Sequence, residues 1–84
     1  MSPLTIYTKD KCDFCVLLKA LLEQKQISFT EININLDFEA RNFIMMEGHK
    51  TVPQVYQDDK LLEGGYQGFK TRMDMEEILT KETL

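Results

Sequence analysis

Leu4-Thr5-Ile6-Tyr7-Thr8-Lys9-Asp10-Lys11-Cys12-Asp13-Phe14-Cys15 is the stretch that decides the fold. Its first five residues are rich in β-formers and alternate in part, so they read as a strand. Lys9-Asp10-Lys11 is a polar turn. From Asp13 to about Lys25 the apolar residues Phe14, Leu17, Leu18, Leu21 and Leu22 recur at helical spacing, with Lys19 and Glu23 on the outside. Cys12 and Cys15, the only cysteines of the chain, therefore sit where a strand gives way to a helix. Backbone N–H groups at a helix start have no intrahelical partner, and with the helix dipole they favour a thiolate over a thiol. Such placement lowers a cysteine pKa from about 8.5 to about 3.5–7.5, and the thiolate is the reactive form. Cys12 is expected to be the exposed member at the cap. Cys15 lies on the same side of the first turn, close enough to close a disulfide.

Two blander readings compete with redox chemistry. C-x-x-C is half of a zinc site, but tetrahedral zinc takes four ligands and His49 is the only imidazole left to contribute. Two buried, inert cysteines are the other. The order strand, C-x-x-C, helix favours redox chemistry over both, and no bound metal is expected.

A chain of 84 residues is expected to form one domain spanning residues 1–84, with a modest core. Its 43% hydrophobic and 29% charged residues are ordinary for a globular protein. No apolar run is long enough for a membrane span, and no basic-then-apolar start indicates a secretory signal. One reactive pair without further disulfides fits a reducing compartment, so a cytoplasmic location is expected. The net charge of −4 argues against nucleic acid as a partner. The positive charges nevertheless cluster, with Lys9 and Lys11 flanking the cysteines.

Further along, Ile27 to Leu36 reads as a second strand whose alternation slips phase. Ile32, Ile34 and Leu36 are expected on the buried face, with Ile27 and Phe29 as the entry from the helix. Asp37 can cap a helix through Phe38, Ala40, Phe43, Ile44, Met45 and Met46 that stops at Gly48. The paired methionines are expected to fill core, and His49 to be solvated. Thr51-Val52-Pro53-Gln54-Val55-Tyr56 is a third strand, Gln57-Asp58-Asp59-Lys60 a turn, and Leu61-Leu62 a short returning strand interrupted by Gly64-Gly65. A last helix is expected from Phe69 to Leu79, with Phe69, Met73, Glu76/Glu77 and Ile78 at helical intervals. The implied order is βαβαββα, an α/β chain with a four-stranded mixed sheet flanked by three helices.

With these pieces placed, the sequence resembles the glutaredoxins, the small glutathione-dependent branch of the thioredoxin-fold superfamily. Three motifs carry the resemblance from Leu4 to about Leu79: Lys9-x-x-Cys12-x-x-Cys15, Thr51-Val52-Pro53 and Gly64-Gly65-Tyr66. It implies a cis peptide before Pro53, which turns the Val52 backbone outward so that an extended peptide can pair with it as an added strand. Glutathione is such a peptide, and is the implied reductant and co-substrate. The resemblance assigns catalysis to Cys12 as nucleophile and Cys15 as resolving thiol. It assigns glutathione or substrate binding to Lys9, Phe14, Lys50, Thr51, Val52, Pro53, Gly65, Tyr66 and Gln67. In that scheme Gly64 and Gly65 allow close approach and expose N–H groups near Tyr66 and Gln67 to the γ-glutamyl carboxylate.

Departures from the family pattern matter. Asp13 and Phe14 stand where the family usually has proline and tyrosine, and a carboxylate beside Cys12 opposes thiolate formation while itself gaining from the dipole. Gln67 and Gly68 stand where acidic residues commonly follow the glycine pair, so the α-amino group of glutathione loses a charged partner there. Gln67-Gly68-Phe69 is instead similar to the Ser-Gly-Phe segment of glutaredoxin-like redoxins that are recharged by thioredoxin reductase and serve ribonucleotide reductase. The resemblance therefore implies a monomeric dithiol oxidoreductase acting on protein disulfides and glutathione mixed disulfides. The reductase-fed redoxin is its alternative. Iron–sulfur carriage is disfavoured by the second cysteine and the bulky Phe14.

Overall fold

The computed structural model describes residues 4–83, with side chains through Met75. The elements are β1 (Leu4–Thr8), α1 (Asp13–Gln24), β2 (Phe29–Asn33), α2 (Phe38–Met46), β3 (Gln54–Gln57), β4 (Lys60–Leu62) and α3 (Gly65–Thr83). This is the expected βαβαββα order. The strands form one sheet in the order β2-β1-β3-β4, with β1 parallel to β2 and antiparallel to β3, and β3 antiparallel to β4. The β3–β4 connection is a two-residue hairpin loop in which Asp58 and Asp59 have φ of 50° and 66°. Positive φ at both loop positions is what a tight hairpin turn of matching twist demands, and aspartate tolerates it better than most residues.

The sheet is covered on both faces, and this corrects the expected burial of β2. Register pairs Leu4 with Phe29 and Ile6 with Val55, so Leu4, Ile6, Phe29 and Val55 share the face covered by α1 and α3. Leu18, Leu22 and Phe69 close that core, and Ile27 and Phe29 pack against it. Ile32 pairs with Tyr7 on the opposite face. Leu36, expected to be buried, is 83% exposed in the turn that leads to α2. A sheet with two apolar faces gives both parities of a strand something to cover, so the phase slip carried less information than a one-sided sheet would have supplied.

On that second face Phe43 of α2 lies 5.6 Å from Tyr7 and 5.5 Å from Tyr56, ring centre to ring centre. Asp37 caps α2 as expected, accepting from the Ala40 N–H at 3.0 Å. Ile44 is the buried residue of this helix. Met45 and Met46 are exposed, contrary to the expectation that they fill core. With only nine residues, α2 buries Ile44 and sets the partly exposed Phe43 ring against Tyr7 and Tyr56, which leaves the methionines outside.

Boundaries also differ, and β2 spans Phe29–Asn33 rather than Ile27 to Leu36. β3 starts at Gln54 rather than Thr51, because Pro53 has no N–H to give to a ladder. α3 starts at Gly65, four residues before Phe69. The glycine pair is thus a helix entry rather than only a strand breaker. The positions expected of Glu76, Glu77 and Ile78 on the packing face lie outside the described side chains.

Candidate active site

Cys12 is the N-cap of α1, with extended backbone at φ −117° and ψ 105°. An N-cap side chain ordinarily accepts a hydrogen bond from an early helical N–H, and here the acceptor is sulfur: the Cys15 N–H donates to Cys12 Sγ at 3.1 Å. Cys12 and Cys15 are joined in a disulfide, their Cα atoms 5.2 Å apart. Cys12 is the more accessible of the two, at 9% against 2% for Cys15, but both are largely covered. The cap expected to be exposed is therefore largely covered. On its other side the Val52 carbonyl oxygen lies 3.7 Å from Cys12 Sγ, within reach of a reduced thiol. The Val52–Pro53 peptide is cis.

A groove of about 660 Å³ runs beside this pair. Phe14, Thr51, Val52, Pro53, Gly65, Tyr66 and Gln67 all line it, so seven of the binding residues named from sequence share one surface. Phe14 and Tyr66 stack across it with ring centres 6.0 Å apart and planes at 30°, linking the first turns of α1 and α3. Gly64 and Gly65 have φ of 98° and 58°. A Cβ on Gly65 would stand 3.0 Å from the Pro53 carbonyl oxygen, tighter than ordinary contact, so glycine at this left-handed position favours the close approach of the α3 entry to the Pro53 loop. Gly65, Tyr66 and Gln67 form the first turn of α3, where main-chain N–H groups lack intrahelical acceptors.

Lys9 and Lys50, the remaining two, line a separate hollow of about 340 Å³. Thr51 and Val52 border both spaces. The smaller one also contains Arg41 from α2, which sequence reasoning passed over. An arginine on a short helix looks like part of a solvated face, and only the packing of α2 across the sheet brings it near Lys9 and Lys50. Glu63 of the larger groove was missed for the same reason.

His49 borders both spaces as well, and is not simply solvated. Its Nε2 lies 2.9 Å from the Tyr56 hydroxyl, whose other neighbour is Glu47 Oε1 at 3.4 Å. Burial raises the Tyr56 pKa above the ordinary tyrosine value, and the charge and hydrogen bond of Glu47 add to the rise. Below α1, the buried Thr8 hydroxyl donates to Glu31 Oε2 at 2.8 Å and Lys19 pairs with the same oxygen at 3.1 Å. Burial alone would raise the Glu31 carboxyl, but the Thr8 and Lys19 hydrogen bonds outweigh it and hold the pKa below the usual glutamate value.

A strand that ends at a sulfur-capped helix, with a cis proline loop against the sulfur, defines a thioredoxin-like thiol–disulfide centre. The glutaredoxin family model matches residues 4–62. Glutaredoxin 3 of Escherichia coli strain K12 is 38% identical over 65 residues, which cover 76% of this chain and 78% of that protein. The crystal structure of glutaredoxin 1 from Francisella tularensis, complexed with cacodylate, superposes with a TM-score of 0.71 at 28% identity, covering 95% of this chain and 99% of that one. NrdH-redoxin from Escherichia coli, a glutaredoxin-like protein with a thioredoxin-like activity profile, superposes with the same TM-score of 0.71 at 27% identity, covering 79% of this chain and 86% of that one. The chain belongs to the glutaredoxin family and is a glutaredoxin-type thiol–disulfide oxidoreductase with a redox-active C-x-x-C pair. Among the described residues no helix is long and apolar enough to cross a membrane.

Proposed function

We propose that this glutaredoxin reduces protein disulfides and glutathione mixed disulfides with Cys12 as nucleophile, Cys15 as resolving thiol and glutathione as electron donor. The observation that carries the reading is the Cys15 N–H aimed at Cys12 Sγ from 3.1 Å at the start of α1. Negative charge on that sulfur gains a main-chain donor and the positive end of the helix dipole, whereas charge on Cys15, further into the first turn and 2% exposed, meets a larger burial cost. Nucleophile and resolver are separated by position alone.

In the first step the Cys12 thiolate attacks one sulfur of the substrate disulfide. A Cys12–substrate disulfide forms and the other substrate sulfur leaves as thiolate. Cys15 loses its proton and attacks Cys12 Sγ, so that the substrate sulfur leaves and takes up a proton. Two electrons have then passed from the dithiol to the substrate. One glutathione thiolate reopens the pair by attacking Cys12, and a second attacks the resulting mixed disulfide, releasing oxidised glutathione and the Cys12 thiolate. Glutaredoxin potentials of about −200 to −230 mV lie close to the glutathione couple, so the cycle runs in either direction with the glutathione pool.

Glutathione fits the two spaces on either side of Thr51-Val52. Its peptide backbone pairs with Val52 as an added strand. Its glycyl carboxylate meets Lys9, Lys50 and Arg41 in the smaller hollow, and its γ-glutamyl carboxylate meets the free N–H groups of Gly65, Tyr66 and Gln67. Phe14 and Tyr66 wall the groove beside the reacting sulfur. The experiment is trapping: reduced Cys15→Ser protein treated with oxidised glutathione accumulates a Cys12–glutathione disulfide, seen as the mass of one glutathionyl group. Absence of the adduct would refute the reading.

A second reading, a redoxin recharged by thioredoxin reductase, is favoured by Gln67-Gly68-Phe69, which lacks acidic side chains in the first turn of α3. Ribonucleotide reductase is the substrate class that reading carries.

A further inference from the structure

We propose that the Glu63 carboxylate receives the α-ammonium group of the γ-glutamyl end of glutathione, supplying from the end of β4 the acid that is missing from α3. This rests on the glutathione reading above. Glu63 is the one acidic side chain among the described residues that line the larger groove. Leu61 of β4 lines the same groove, and so does Glu63 in the turn that follows the strand.

The main chain at Glu63 is pinned. Arg72 of α3 donates from Nη1 to the Glu63 carbonyl oxygen at 2.7 Å. Gly68, one turn before Arg72, is pressed against the same carbonyl, and a Cβ there would collide with it. Position 68 therefore cannot carry an aspartate while this contact exists. The contact that removes an acid from α3 is the one that holds Glu63 at the rim of the groove. No ion pair among the described residues engages the Glu63 carboxylate, so it is available to a ligand cation.

The charge pattern then has a direction. Lys9, Arg41 and Lys50 lie on one side of Thr51-Val52, and Glu63 with the first turn of α3 lies on the other. A peptide carrying a lone carboxylate at one end and an ammonium-carboxylate pair at the other fits in one orientation. Reversal would set its ammonium among cations, and such like-charge contact is what enforces orientation.

The test compares two mixed disulfides of one cysteine-containing peptide, the first with glutathione and the second with deaminated glutathione (glutaryl-cysteinyl-glycine). Steady-state reduction is measured for the wild-type protein and for Glu63→Gln. The expected wild-type KM is about three- to tenfold lower for the aminated substrate, the range for a solvent-accessible charged hydrogen bond. Glu63→Gln should bring the two KM values together by weakening the aminated substrate alone, whereas a merely structural defect would weaken both. A wild-type protein that reduces both equally well, or a Glu63→Gln variant that keeps the wild-type preference, overturns the assignment of Glu63 while leaving glutathione use intact. A wild-type protein that reduces neither overturns the glutathione reading and this inference with it.

Discussion

The main-chain N–H of Cys15 points at the sulfur of Cys12 from 3.1 Å. In the proposed assignment of roles, Cys15 resolves the intermediate through its side chain and stabilises charge on the Cys12 sulfur through its backbone N–H. The two contributions are separable by mutation, because a substitution at position 15 removes the thiol and keeps the amide.

Cys12→Ser is expected to abolish all thiol exchange. Cys15→Ser is expected to lose reduction of protein disulfides and to keep cleavage of glutathione mixed disulfides, which needs one attacking thiol. Its Cys12 pKa should remain depressed, because the donating amide is still present; thiolate absorbance against pH reads this directly. Exchanged phenotypes would reverse the assignment of roles.

Asp13 sits in the first turn of α1, next to the reacting sulfur. Asp13→Asn removes a like charge from the thiolate's neighbourhood, so the Cys12 pKa should fall and the reaction rate at pH 6 should rise. An unchanged titration would show that Asp13 is screened by solvent.

Arg41→Gln and Lys9→Gln should each raise KM for glutathione-linked substrates by about three- to fivefold, with the loss shrinking at high salt. The Arg41 change should leave kcat near wild type, since this side chain lies in the hollow beyond Val52 and not at the sulfur. Equal kinetics at low salt would remove the hollow from the binding site.

Glu31 provides a stability test that is independent of catalysis. Its carboxyl is held below the usual glutamate value in the folded chain, so its contribution is present above that value and is lost as pH falls through the folded pKa. Glu31→Gln should cost about 0.5–1 kcal/mol at pH 7, discounted because the pair with Lys19 is partly solvated. The difference from wild type should vanish at an acid pH low enough to protonate the carboxyl in the folded chain as well. Denaturant titration at the two pH values measures it.

Most of what places the reacting sulfur was legible in sequence, because a five-residue strand, a polar turn and a helical stripe are local signals. The cap at Asp37 and the hairpin at Asp58-Asp59 were legible for the same reason. What escaped depends on tertiary placement. Phe29 and Ile32 could not be assigned to faces without knowing that helices cover both sides of the sheet. Gly65 looks like a chain breaker, yet its φ of 58° lets α3 begin against Pro53. Arg41 and Glu63 carry no motif, and each enters the proposed site only through the segment that brings it to the rim of a groove.

The most direct test of glutathione dependence is a coupled assay with a protein disulfide as substrate and one electron donor at a time. Glutathione with glutathione reductase as sole donor should sustain turnover of the wild-type protein, and thioredoxin reductase alone should not. Turnover with thioredoxin reductase and none with glutathione would contradict the account, and would make this member of the family a reductase-fed redoxin.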